Sequence, residues 1–136
     1  MECNYGKKIL KIETHEEQID WNGMAGYAIT TDKQIIKLLI DDRQCCCENF
    51  GYFMSEDNLD EFIGANLLDI KITDTSRNVT KLKELDLEDM YGGDIMFVDL
   101  ITSEGTLQFA AYNEHNGYYG HEAKVISQQL NHSEYL

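Results

Sequence analysis

The chain has 136 residues, 43% of them hydrophobic, and carries 25 acidic side chains against 11 basic ones for a net charge of −14. That length suits one domain with a real core, and that charge repels phosphates, so an ordinary nucleic-acid binder is excluded and a basic protein partner is favoured. No apolar run is long enough to span a bilayer, and the opening Met1-Glu2-Cys3-Asn4 lacks the basic and apolar regions of a signal peptide, so the expected location is cytoplasmic.

The acidity is uneven. Residues 1–53 hold nine acids and six bases, residues 54–104 hold thirteen and four, and residues 105–136 hold three and one. In chain order, Lys7 to Glu13 shows strand-like alternation. Tyr27–Thr30 and Ile35–Ile40 flank Thr31-Asp32-Lys33-Gln34 and read as a hairpin. Ser55 reads as an N-cap, with Glu56 and Asp57 in the first turn and Leu59, Phe62 and Ile63 on one apolar face; a helix of about two turns ending at Gly64 is expected. Leu67–Thr73, Ile95–Thr102 and Thr106–Tyr112 alternate again, the last two joined by Ser103-Glu104-Gly105. Residues 74–94 read as a long, partly helical connection. Ala123–Leu130 reads as a final strand or short helix, and residues 131–136 as a loose tail. The expectation is a single α+β domain over residues 1–130: a mostly antiparallel sheet of about six strands with one short helix.

Two polar runs carry the chemistry. Cys45-Cys46-Cys47-Glu48 follows the Ile35–Ile40 strand, and Asn113-Glu114-His115-Asn116-Gly117-Tyr118-Tyr119-Gly120-His121-Glu122 follows the Thr106–Tyr112 strand. Thiolates and imidazoles are the ligands zinc prefers, and in a reducing compartment clustered thiols point to a metal before a disulfide. Neighbouring residues of a regular strand face opposite ways, so two adjacent thiolates share a metal only from a loop or bulge. The plainer alternative packs one cysteine in the core as a small hydrophobe. The end of one strand and the exit of the other, side by side in an antiparallel sheet, would bring the two runs together.

These runs, with Met54-Ser55-Glu56-Asp57-Asn58-Leu59 and Ile63-Gly64-Ala65-Asn66-Leu67-Leu68, resemble a family of small proteins of phages, prophages and their bacterial hosts. That family's pattern is Gln-x-Cys-Cys-Glu early and Asn-Glu-His-Asn-Gly-Tyr-Tyr-Gly late, and the resemblance covers residues 6–122. Cys46, Cys47, Glu48 and His115 fall on the family positions, whereas Cys45 and His121 depart from them. The resulting expectation is a structural zinc held by Cys46, Cys47 and His115, closed by His121 or Cys45, since four protein ligands leave no open position for water. Glu48 and Glu114 would orient a ligand, or act as general base beside a metal-bound water. Cysteine–histidine nucleophilic catalysis is weaker, because no Gly-rich oxyanion element accompanies those residues.

Size, acidity and the phage resemblance invite comparison with anti-CRISPR proteins, several of which inhibit the Cas9 effector. By that analogy the chain is a non-enzymatic inhibitor of a basic host protein, with Cas9 as the specific candidate. Asp57, Asp60, Glu61, Glu84, Asp86, Glu88 and Asp89 would form the contact. A small metal-dependent hydrolase and a protein that sequesters a nucleotide messenger are the alternatives.

Overall fold

Alternating apolar residues and hydroxyl-closed turns put most of the chain into antiparallel strands. A computed structural model describes residues 8–19, 22–41, 49–84, 93–114, 122–128 and 130–136. Among them are nine strands: β1 (Ile9–Ile19), β2 (Asn22–Thr31), β3 (Ile35–Asp41), β4 (Asn49–Met54), β5 (Leu67–Thr73), β6 (Gly93–Thr102), β7 (Gly105–Glu114), β8 (Glu122–Ile126) and β9 (Asn131–Tyr135). They form a five-stranded sheet ordered β1-β2-β3-β8-β9 and a four-stranded sheet ordered β4-β7-β6-β5. Every neighbouring pair is antiparallel.

One core lies between the sheets. Ile29, Ile36, Leu38, Ile40 and Val125 of the first meet Met96, Val98, Leu100, Leu107 and Phe109 of the second. Each such side chain contributes about 1.5–3 kcal/mol by leaving water. Phe109 is fully buried, with the rings of Tyr27 and Tyr52 each 6.2 Å away and those two tyrosines edge-on to each other at 5.7 Å. The continuous apolar run of β3 has a further meaning: Leu39, facing away from Leu38 and Ile40, is also fully buried, as is Met24 beside it on β2. The centre of the first sheet is therefore covered on both faces, the pattern an unbroken hydrophobic strand predicts. Gly26 sits there opposite Leu39, and a Cβ on it would come within 1.8 Å of the Leu38 carbonyl oxygen.

Three expectations are corrected. The domain is mostly β, not α+β, and has more strands than the alternation alone revealed. The segment after Ser55 forms only a 3-10 turn, Leu59–Phe62. Ser55 does not cap it: its backbone N–H donates to the Gln108 carbonyl and its Oγ accepts from the Gln108 N–H, which extends the β4–β7 pairing. Asn58 caps the turn instead, its Oδ1 accepting from the Asp60 N–H at 3.2 Å, and Gly64 ends it with φ +89°. The only α-helix among the described residues is the six-residue α1, Val79–Glu84. Ala123–Leu130 resolves into β8 and a turn. The tail expected to be loose instead pairs along β8 as β9, and Leu136 is buried.

Candidate functional site

The chain passes between the sheets twice. Residues 42–48 lead from β3 in the first sheet to β4 in the second, and residues 115–121 lead from β7 in the second back to β8 in the first. Their four anchoring strand ends are adjacent in pairs. Ile40 lies opposite Ala123 where β3 ends and β8 begins, and Asn49 lies opposite Glu114 where β4 begins and β7 ends. The start of β6 joins them, with Gly93 also opposite Glu114. Cys45, Cys46, Cys47 and Glu48 belong to the first crossing, His115 and His121 to the second, and all six lie outside the described residues. The two sequence runs thus hang from neighbouring strands of both sheets. They do so across two sheets, whereas the sequence suggested one.

The strand ends are held firmly. Asn113 is fully buried and its Nδ2 donates to the Leu136 carbonyl at 3.2 Å, fastening the chain beyond β9 to the end of β7. One residue earlier, burial pushes the Tyr112 hydroxyl above its usual pKa. Among the described residues no group of three or more His, Cys, Asp or Glu side chains is arranged to hold a metal.

The acidic residues divide. Glu56, Asp57, Asp60 and Glu61 are exposed on and before the 3-10 turn, and Glu84 is exposed at the end of α1. Asp86, Glu88 and Asp89 lie outside the described residues. Sequence reasoning missed the cation beside them. Lys81 Nζ meets Asp57 Oδ1 at 2.9 Å and donates to the Met54 carbonyl at 2.7 Å, although the Asp57 side chain remains 93% exposed. A pair this exposed contributes about 0–1 kcal/mol. A 24-residue separation carries no sequence signal; only the path of residues 74–84 brings Lys81 there.

Gln108 fixes that path. Buried in β7, it donates from Nε2 to the Thr75 carbonyl and to Asp99 Oδ1, and its Oε1 accepts from the Arg77 N–H at 2.9 Å. Asn78 then donates to the Ser55 carbonyl and accepts from the Lys81 N–H. This network binds the acidic turn, α1 and the outer face of the second sheet into one unit, so the carboxylates of residues 56–61 stand on a rigid base.

On the first sheet, Glu17 of β1 takes both Lys37 Nζ and His15 Nε2 at 2.7 Å. The hydrogen bond from Lys37 holds the Glu17 carboxyl below its usual pKa.

A family model described as a domain of unknown function (DUF7448) matches residues 4–125. The chain belongs to the DUF7448 family. The match takes in both crossings and all strands from β1 to β7. Searches of curated proteins and of solved structures give no match. No helix among the described residues of this DUF7448 protein is long and apolar enough to cross a membrane.

Proposed function

We propose that the chain is a phage-derived, stoichiometric inhibitor of a basic, nucleic-acid-handling host defence protein in the bacterial cytoplasm. Cas9 is the specific candidate and the anti-CRISPR proteins are the functional class. The observation that carries this reading is the rigid, acid-rich turn: four exposed carboxylates within residues 56–61, seated on the Gln108 network and partly offset by Lys81. Such a surface accelerates encounter with a cationic groove and blocks the groove once seated. Asp57, Asp60 and Glu61 form its centre. Glu84, Asp86, Glu88 and Asp89 extend it along the connection that follows.

The same proposal includes one structural zinc held by Cys46, Cys47, His115 and His121. It is supported by the anchoring strand ends: β3, where the first crossing leaves, neighbours β8, where the second arrives, and β7, where the second leaves, neighbours β4, where the first arrives. When bound, zinc would supply a tetrahedral cross-link between the crossings. Glu48 and Glu114 would orient the histidine ligands through hydrogen bonds.

Titrating purified protein into a Cas9 cleavage reaction tests the inhibitor reading. Inhibition that saturates at one chain per effector is expected, and Asp57→Lys/Asp60→Lys/Glu61→Lys should weaken binding at least tenfold and reduce its salt dependence. Turnover of a substrate at sub-stoichiometric protein would instead establish the metal-dependent enzyme. Affinity indifferent to salt and to the triple reversal would remove the acidic turn from the interface.

A further inference from the structure

β1 is the longest strand among the described residues and forms an edge of its sheet; among those residues its outer side is met only at its start, where Ile9 exchanges backbone hydrogen bonds with Gly64 and Ala65 and Lys8 bridges Asn66. An edge of this length offers a row of backbone groups to another strand. We propose that a second copy of this chain occupies it, antiparallel, about a two-fold axis at Thr14, so that two five-stranded sheets join into one.

Geometry and charge narrow the register among centrings on Glu13, Thr14 and His15. A two-fold axis perpendicular to the sheet places each residue opposite one facing the same side, so paired residue numbers sum to an even total. Centring on Glu13 sets that carboxylate against itself and Lys11 against His15. Centring on His15 sets Glu13 against Glu17. Centring on Thr14 sets Lys11 against Glu17 and Glu13 against His15, each twice across the axis, with Glu16 meeting the aliphatic Ile12. Among these three centrings, only the last sets no carboxylate against another and places a basic residue opposite both Glu13 and Glu17.

Local charge also permits it in a chain of net charge −14. Lys11, Glu13, His15 and Glu17 alternate along the side of β1 that faces away from the core, since Ile12 between them lies opposite the buried Ile29. Lys37 of β3 reaches the same stripe through Glu17, and Lys11 already lies 3.2 Å from Glu13. The charges of Lys11 and Lys37 offset those of Glu13 and Glu17 there. In the paired register Glu17 stands between Lys37 of its own chain and Lys11 of the second. The residues from Lys11 to Glu17 lie beyond the irregularity at Ile9/Lys11, so the pairing segment is regular. This inference is independent of the inhibitor proposal.

Sedimentation equilibrium of the full chain, from micromolar to several hundred micromolar, should show a monomer–dimer equilibrium. Lys11→Glu alone and Glu17→Lys alone should each weaken the dimer roughly tenfold, because two like-charge pairs replace two favourable ones. An equimolar mixture of the two variants should restore it, since each then meets its complement. Circular dichroism melting confirms that each variant is folded. Should Glu17→Lys unfold through its contacts with Lys37 and His15, hydrogen exchange of the wild-type β1 amides decides, with protection rising as concentration rises. A monomer at all concentrations, a Lys11→Glu dimer as tight as wild type, a mixture no tighter than its components, or concentration-independent protection overturns the proposal. So does protection of β1 that appears only on adding a polylysine peptide, which would assign the edge to a foreign basic strand.

Discussion

The two ends of the sandwich are built differently. At one end, three hairpins close on a single device: a buried hydroxyl beside the turn. Thr31 Oγ1 accepts from the N–H groups of Lys33 and Gln34, Thr102 Oγ1 accepts from the Glu104 N–H and donates to the Gly105 carbonyl, and Ser127 Oγ does the same with Leu130. Backbone bonds from Asp32 to Lys8 and from Ser103 to Asn66, with the Lys8–Asn66 bridge, lace the turns of the two sheets together. The other end has no such device among the described residues. It is where the chain changes sheet and where the cysteine and histidine runs are attached. One end is stabilised by local hydrogen bonds that any sequence with a well-placed Thr or Ser can make; the other depends on specific, long-range partners.

Substitution at the crossings should cause the largest loss. Cys47→Ser or His115→Ala is expected to deplete one zinc per chain, measured by elemental analysis of protein purified without added metal, and to lower the melting temperature in step. Fully reduced thiols with no metal in the wild-type protein would make both ends alike in resting on hydrogen bonds alone. Next, Asn113→Ala should cost about 1–3 kcal/mol in urea unfolding, because it strips the Leu136 carbonyl of a buried donor. It should also speed exchange of the β9 amides selectively.

At the opposite end, Thr102→Val removes one turn hydroxyl and should cost only about 1 kcal/mol, leaving zinc content unchanged. A loss of metal in that variant would show that the ends are coupled. The smallest effects are in pH. The Glu17 carboxyl is depressed by Lys37, so its contribution is present above the unfolded value near 4.5 and is lost as pH falls through the lower folded value. Lys37→Met should shrink that acid limb in a melting-versus-pH series, His15 keeping part of it. Tyr27 and Tyr112 are raised by burial, so their contribution is full below 10.0 and lost as pH rises through their higher folded values. Tyr112→Phe should flatten the alkaline limb while leaving the acid one in place.

Much of the second sheet was legible because its strands alternate cleanly: Leu67–Thr73, Ile95–Thr102 and Thr106–Tyr112 coincide closely with β5, β6 and β7, and Tyr27–Ile40 holds the β2–β3 hairpin. What failed did so for physical reasons. Ser55 has every local mark of an N-cap, but Gln108, 53 residues away, competes for both its N–H and its hydroxyl and wins. β4 is interrupted by Gly51, and a Cβ at Gly51 would crowd the Tyr112 hydroxyl at 2.7 Å. β9, Asn-His-Ser-Glu-Tyr, is a polar edge strand whose pairing comes from β8 and not from its own hydrophobicity. The two motif runs were visible as chemistry. That their anchoring strands come side by side was expected as well, but not that this happens across two sheets, because β3 neighbouring β8 while β4 neighbours β7 is a fact of topology that no local pattern encodes.

The two crossings also govern the order in which the fold can assemble. Residues 49–114 make the second sheet without interruption, starting from the tight β6–β7 hairpin, so it can form before the first sheet is complete. The first sheet is different: Ile40 must find Ala123 across the whole of that intervening sheet. Closing so long a loop is entropically costly and comes late. The segments that bear the cysteines and histidines are the two connections through which the chain enters and leaves the second sheet, so a tie between them would turn that long-range contact into a local one.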